Sequence, residues 1–205
     1  MNFDLFQQYD ALIFDMDGTL VESGPLHEVA WTQTLNEFGL PIVKPLMRAL
    51  CGVPTKETLE IIAAKTGTAL RTSVEEMNDF KEAIAKKLMH EYVRPTPIAD
   101  IARHFYGNKP LAVGTGAYTE EAKAILEICQ LDHLFDAIVG ADQVTRPKPA
   151  PDVFLRAAEL LNVAAVRCAV LEDAELGLQA ARAANMGAYD VHVHFGYVND
   201  YFLDR

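Results

Sequence analysis

The sequence predicts an α/β protein, a doubly wound parallel sheet with a helical block inserted near its start. Three observations carry this reading. Residues 11–14, Ala-Leu-Ile-Phe, are a short apolar run that stops abruptly on Asp15 and Asp17, as a buried strand does where it meets a polar edge. Residues 25–92 show helical patterning and no strand. From residue 97 onward, apolar runs of strand length alternate with helical segments, which is the texture of βαβ units.

In chain order, residues 25–38 read as a helix with Leu26, Val29, Ala30 and Phe38 near helical spacing and Gly39 as its stop. Shorter helices follow at 45–50 and 55–65. A longer one covers 74–92, opened by Ser73 as N-cap with Glu76 three residues on. Arg94-Pro-Thr-Pro97 breaks it. Then come helix 98–105, strand 110–113, helix 119–129, strand 137–139, helix 152–161, strand 167–171, helix 175–184 and strand 188–193. The first strand belongs to this sheet, so residues 1–23 and 96–205 form the core and residues 24–95 the insert. His192 and His194 would share one strand face, with no third metal ligand near in sequence. Phe195, Tyr197, Tyr201 and Phe202 make the last stretch aromatic, to cap the sheet or to meet a second copy.

Composition narrows the function. The 205 residues are half hydrophobic, enough for a substantial core, and the formal net charge is −11 with no basic cluster. That argues against nucleic-acid and anionic-membrane partners but allows a small anionic substrate. Cys51, Cys129 and Cys168 are scattered without metal-site spacing, which fits a reducing compartment. The first ten residues lack a signal-peptide layout, and no apolar stretch reaches membrane-spanning length. The expectation is a cytoplasmic monomer or weak homodimer.

In an open parallel sheet, ligands bind beyond the carboxyl ends of the strands, and four polar clusters fall there. Asp15 and Asp17, with Gly18 and Thr19, follow the first strand. Thr115 stands between Gly114 and Gly116 just before a helix, where exposed amides favour an anion. Lys148 sits in a proline-stiffened loop, and Glu172-Asp173 ends another strand. Each cluster alone reads as an ordinary turn, cap or surface lysine. Together, four acids, one lysine and an amide-rich loop describe a magnesium-dependent phosphoryl-transfer site.

This ordered set resembles the haloacid dehalogenase superfamily, and within it the β-phosphoglucomutase-like branch with a helical cap after the first motif. The stretches Val113-Gly-Thr-Gly116, Lys148-Pro-Ala-Pro-Asp152 and Glu172-Asp-Ala-x-x-Gly177 are similar to small bacterial sugar-phosphate phosphatases of the fructose-1-phosphate/6-phosphogluconate type. The resemblance implies Asp15 as nucleophile, forming a phospho-aspartate, and Asp17 as general acid and then base. It implies magnesium held by Asp15, the backbone carbonyl of Asp17 and Asp173, with Glu172 acting through water. Thr115, Gly116 and Lys148 would hold the phosphoryl group, and His27 on the first cap helix would face Asp17. Substrate would be enclosed by cap and core, with hinges at 23–25 and 94–97.

Hydrolysis and mutase chemistry both occur in that branch. The mutase subgroup carries basic residues in a cap loop that here reads Cys51-Gly-Val-Pro-Thr55-Lys56. Cys51 and Thr55 stand where a lysine and an arginine are expected, and only Lys56 is basic. Loss of a guanidinium fork weakens recognition of a second phosphate, so the reading is a phosphatase with Thr55 and Lys56 as candidate substrate contacts. A non-catalytic phosphate- or metal-binding regulator on the same fold is the remaining class.

Overall fold

The computed structural model describes residues 2–199 and 201–202. They divide into two compact units, one of residues 2–22 and 94–199, the other of residues 23–93 with Tyr201 and Phe202. In the first unit, β1 (Ala11–Phe14), β4 (Leu111–Gly114), β5 (Ala137–Val139), β6 (Cys168–Glu172) and β7 (Gly187–Asp190) form one parallel sheet in the order β5-β4-β1-β6-β7. Helices α5 (Ala99–Phe105), α6 (Thr119–Ile128), α7 (Asp152–Leu160) and α8 (Glu175–Ala183) make the connections. The central strand β1 is buried along its whole length, as an apolar run without alternation requires.

Successive side chains point to opposite faces of a sheet. Ala11 and Ile13 pack with Ala112, Val139, Cys168 and Val170 against Val153, Phe154 and Ala157 of α7 and Ala180 and Ala181 of α8. Leu12, Phe14, Leu111, Val113, Ala169 and Leu171 are equally buried on the other face. The two ends of the helical insert meet as a short antiparallel pair, β2 (Val21–Glu22) with β3 (Arg94–Pro95), which sequence patterning does not show. Thr96 extends it, its N–H donating to the Leu20 carbonyl at 2.9 Å and its hydroxyl to the Thr19 carbonyl.

The second unit holds α1 (Gly24–Glu37), α2 (Lys44–Ala49), α3 (Thr55–Thr66) and α4 (Val74–Tyr92). Gly39, at φ +71°, follows the end of α1, and the Ser73 hydroxyl caps α4 by accepting the Glu76 N–H at 3.2 Å. Trp31, Leu35, Leu40, Met47, Leu59, Ile62 and Met77 form its core together with Tyr201 and Phe202. Burying one such ring contributes about 1.5–3 kcal/mol, little more than the ~1–2 kcal/mol needed to fix one residue's backbone. Polar contacts add to it. Arg48 donates to the Phe202 carbonyl at 2.6 Å, and the Phe202 N–H donates to Glu28 at 2.9 Å. Among the described residues no helix is long and apolar enough to cross a membrane.

One expected element is corrected. The strand read over 188–193 ends at Asp190, and Val191–Phe195 is a helical turn, α9. The cause is local. The Asp190 carboxylate accepts the N–H groups of His192 at 2.8 Å and Val193 at 3.2 Å, a capping geometry that turns the chain out of the sheet. Residues two apart on a helix do not face the same way, so His192 and His194 do not share a face. Each ring is engaged by backbone, His192 with the Tyr197 carbonyl and His194 with the Asp190 carbonyl at 2.8 Å. Replacing Asp190 with Ala should lower the unfolding free energy by about 1 kcal/mol, read as a shift of the urea midpoint by far-UV circular dichroism. An unchanged midpoint would deny the cap its role.

Candidate active site

A parallel sheet sends the ends of its strands to one edge, and the acids gather there. Register sets Phe14 of β1 beside Val113 of β4 on one side and Leu171 of β6 on the other. Asp15 follows directly, its N–H donating to the Leu171 carbonyl at 3.0 Å. The chain then turns sharply. Gly18, at φ +82°, donates to the Val21 carbonyl at 2.8 Å, and Thr19 donates to the Met16 carbonyl at 3.2 Å. Asp17 lies inside this turn, bridged to Val21.

Lys148 enters from the loop before α7, where its bond to Pro149 is cis. Its ammonium donates to Asp15 Oδ1 at 2.6 Å and Glu172 Oε2 at 2.8 Å, and stands 4.8 Å from the centroid of the Phe154 ring. Glu172 is 1% exposed. Its other oxygen accepts the N–H groups of Asp173 at 3.2 Å and Ala174 at 3.0 Å. A β-carbon on Gly177 would overlap the Glu172 carboxylate, so α8 approaches this closely only with glycine there. The Asp173 carboxylate accepts from the Thr19 hydroxyl at 3.3 Å and from Asn199 Nδ2 at 3.5 Å.

The structure thus brings Asp15, Lys148, Glu172 and Asp173 into direct proximity and places Asp17 in the adjoining turn. Thr115 is buried at the end of β4, its hydroxyl accepting the Ala117 N–H at 3.1 Å, while Gly116 faces open space. His27, Thr55 and Lys56 lie in the helical unit. His27 is half-buried in the first turn of α1, its N–H donating to the Ser23 carbonyl at 3.0 Å. The Thr55 hydroxyl donates to Glu82 at 3.5 Å, and the Lys56 ammonium is 3.6 Å from Glu75. Three residues escape a sequence reading in these roles: Thr19 and Asn199 on Asp173, and Lys81. Lys81, buried in the helical unit, pairs with Glu82 at 3.0 Å and lies 5.4 Å over the Trp31 ring. No local pattern marks them, because the contacts of Thr19 and Asn199 with Asp173 and of Lys81 with Trp31 join residues distant in sequence.

Electrostatics sets what this cluster would attract. Oxygens of Asp15, Glu172 and Asp173 lie within 4.8 Å of one another, so three carboxylates face one ammonium. Burial pushes the Asp15 carboxyl up to about 7, and the Glu172 charge adds to the rise against the pull of Lys148. Burial, with Asp15 and Glu172 behind it, holds the Asp173 carboxyl well above the ordinary range. Burial opposes the Lys148 charge, but Asp15 and Glu172 outweigh it and raise its pKa. The uncompensated charge is negative and its donors are all oxygen, which fits a hard divalent cation.

The family model for haloacid dehalogenase-like hydrolases matches residues 12–191. Fructose-1-phosphate phosphatase YqaB of Escherichia coli is 39% identical over 92% of this chain and 100% of its own. Beta-phosphoglucomutase of Bacillus subtilis is 28% identical over 88% of this chain and 82% of its own. The crystal structure of CbbY from Rhodobacter sphaeroides in complex with phosphate superposes with a TM-score of 0.75 at 26% identity, covering 95% of each chain.

Two outcomes follow from this geometry. A β-carbon at Gly177 forces the Glu172 carboxylate off Lys148, so Gly177→Ala should cost about 1–3 kcal/mol by urea denaturation; a neutral result would mean α8 shifts freely. Burial holds the folded Asp15 carboxyl up at about 7 against ~3.9 in an unfolded chain, so the folded metal-free protein binds the extra proton and loses stability as pH rises through that window. The melting temperature in EDTA should fall between about pH 4 and 7, and any gain on adding a divalent cation should grow over the same range. A gain independent of pH would show that proton and cation do not compete there.

Proposed function

The chain belongs to the haloacid dehalogenase-like hydrolase family, and on that premise we propose that it is a magnesium-dependent phosphatase acting on a small sugar phosphate through an aspartyl phosphate. The observation that carries the reading is Lys148 bridging Asp15 and Glu172 beside Asp173. It is the arrangement expected where a carboxylate must attack a charged phosphorus centre. The 39% identity to a fructose-1-phosphate phosphatase supports a sugar phosphate as the substrate class.

Asp15, Asp173 and the backbone carbonyl of Asp17 would hold the magnesium ion, with Glu172 reaching it through water. A cation bound there would offset charge on the phosphoryl oxygens and favour the ionised form of Asp15. Asp15 Oδ attacks phosphorus, the bond from phosphorus to the sugar oxygen breaks, and Asp17 supplies the proton that the leaving oxygen takes. Asp17, now a carboxylate, removes a proton from water as that water attacks the same phosphorus. Inorganic phosphate leaves and Asp15 is restored. Lys148, the Thr115 hydroxyl and the Gly116 amide bind the phosphoryl oxygens. Glu172 orients Lys148, and its own position is held by two backbone N–H groups.

Phosphoryl transfer within a hexose phosphate is the second reading, favoured by the similarity to beta-phosphoglucomutase. A carboxylate stands beside each basic or hydroxyl group of the cap loop, Glu75 by Lys56 and Glu82 by Thr55, and these acids repel a second phosphate dianion. That supports hydrolysis.

Phosphate release from a panel of hexose and pentose phosphates, with Mg2+ or EDTA, tests the proposal. The wild type should release phosphate only with the ion, and Asp15→Asn should lose more than about 1,000-fold in kcat/KM. Full activity of Asp15→Asn would sink the mechanism. Isomerisation of a hexose 1-phosphate without net phosphate release would establish the second reading instead.

A further inference from the structure

We infer that Asn199 is a positioning residue of the cation site, delivered to it by the segment that follows α9. The inference rests on the reading that Asp15, Glu172 and Asp173 hold a divalent cation.

The segment is led there by its own contacts. Gly196, at φ +68°, ends α9, the Tyr197 carbonyl is engaged by His192, and the Tyr197 hydroxyl donates to Glu22. Two residues later the Asn199 side chain lies over the Asp15–Thr19 turn. Its Nδ2 is 3.5 Å from Asp173 Oδ2 and would stand 2.6 Å from a β-carbon built on Gly18. Only a glycine at position 18 leaves room for both the amide and the Asp173 carboxylate.

The amide is satisfied on one side only. Asn199 Oδ1 is buried and has no hydrogen-bond partner among the described residues. A buried carbonyl without a donor is unfavourable, and buried polar groups of this kind are ordinarily paired by ordered water. Oδ1 belongs to the same carboxamide as the nitrogen 3.5 Å from Asp173, within reach of water held at the acid cluster. Water carried by a bound cation supplies such a donor. The same amide then holds Asp173 through its N–H and that water through its oxygen. Outer partners of this type fix the orientation of ligating carboxylates, and losing one costs about 10–100-fold in metal affinity.

The test is titration of Mn2+ into the metal-stripped, full-length protein at 15 °C, read by calorimetry and by the electron paramagnetic resonance of free Mn2+. Asp173→Ala serves as the reference without a site. Asn199→Ala and Asn199→Ser, neither of which spans the gap to Asp173, should each raise the Mn2+ dissociation constant about tenfold. Their metal-free melting temperatures should change little, because the substitution removes an unsatisfied oxygen together with one long hydrogen bond. A merely structural side chain would do the reverse, lowering the metal-free melting temperature and leaving Mn2+ affinity alone. Wild-type affinity in both variants would overturn the inference while leaving the metal reading standing. Failure of the wild type itself to bind Mn2+ would overturn both.

Discussion

The ammonium of Lys148, held between Asp15 and Glu172, is the contact on which the polar edge of the sheet depends. Two carboxylates about 4 Å apart repel by about 4 kcal/mol at an effective dielectric of 20, and here three share one small volume. One lysine offsets part of that repulsion and cannot offset all of it. Removing its charge would leave buried acids uncompensated, which is far more costly than the net worth of an ion pair. The surroundings are arranged accordingly. Phe154 packs the lysine from beneath, two backbone N–H groups take the spare oxygen of Glu172, and the remaining negative charge is what recommends the site to a cation.

The site is shaped as much by missing side chains as by those present. Gly177 lets α8 come against Glu172, Gly18 makes room for Asp173 and Asn199, and Gly114 leaves β4 in contact with the Phe154 ring. Each of these glycines sits where a β-carbon would displace a charged or aromatic group. The core around them is closely packed on both faces of the sheet, and tight packing transmits small displacements instead of absorbing them. Stability and chemistry are therefore coupled at this edge.

What was legible in the sequence was local, or followed from topology. The apolar run before Asp15, the Ser73 cap and the alternation beyond residue 97 depend on near neighbours, and a parallel sheet then obliges Asp15, Thr115 and Glu172 to share one edge. The family motifs named Gly177 as part of a pattern, but its reason, the overlap with Glu172, lies in space. Asp190 shows how one carboxylate overrides an alternating pattern: Val191 and Val193 carry strand propensity, and the cap on His192 and Val193 turns them into a helix. The partners of Asn199, Tyr201 and Phe202 were not legible at all, because nothing in an aromatic stretch says which distant residues it will meet.

The core of the helical unit is completed by Tyr201 and Phe202, and that has a consequence for biosynthesis. Trp31 and Leu35 of α1 and Met77 of α4 leave the ribosome early, with the two helices that bear them. Their last two neighbours are made only after the whole sheet, some ten seconds later at ordinary elongation rates. A nascent chain paused anywhere in the second half thus displays helices with an open apolar face, the kind of surface a chaperone recognises. The unit that is translated second is the one that finishes last.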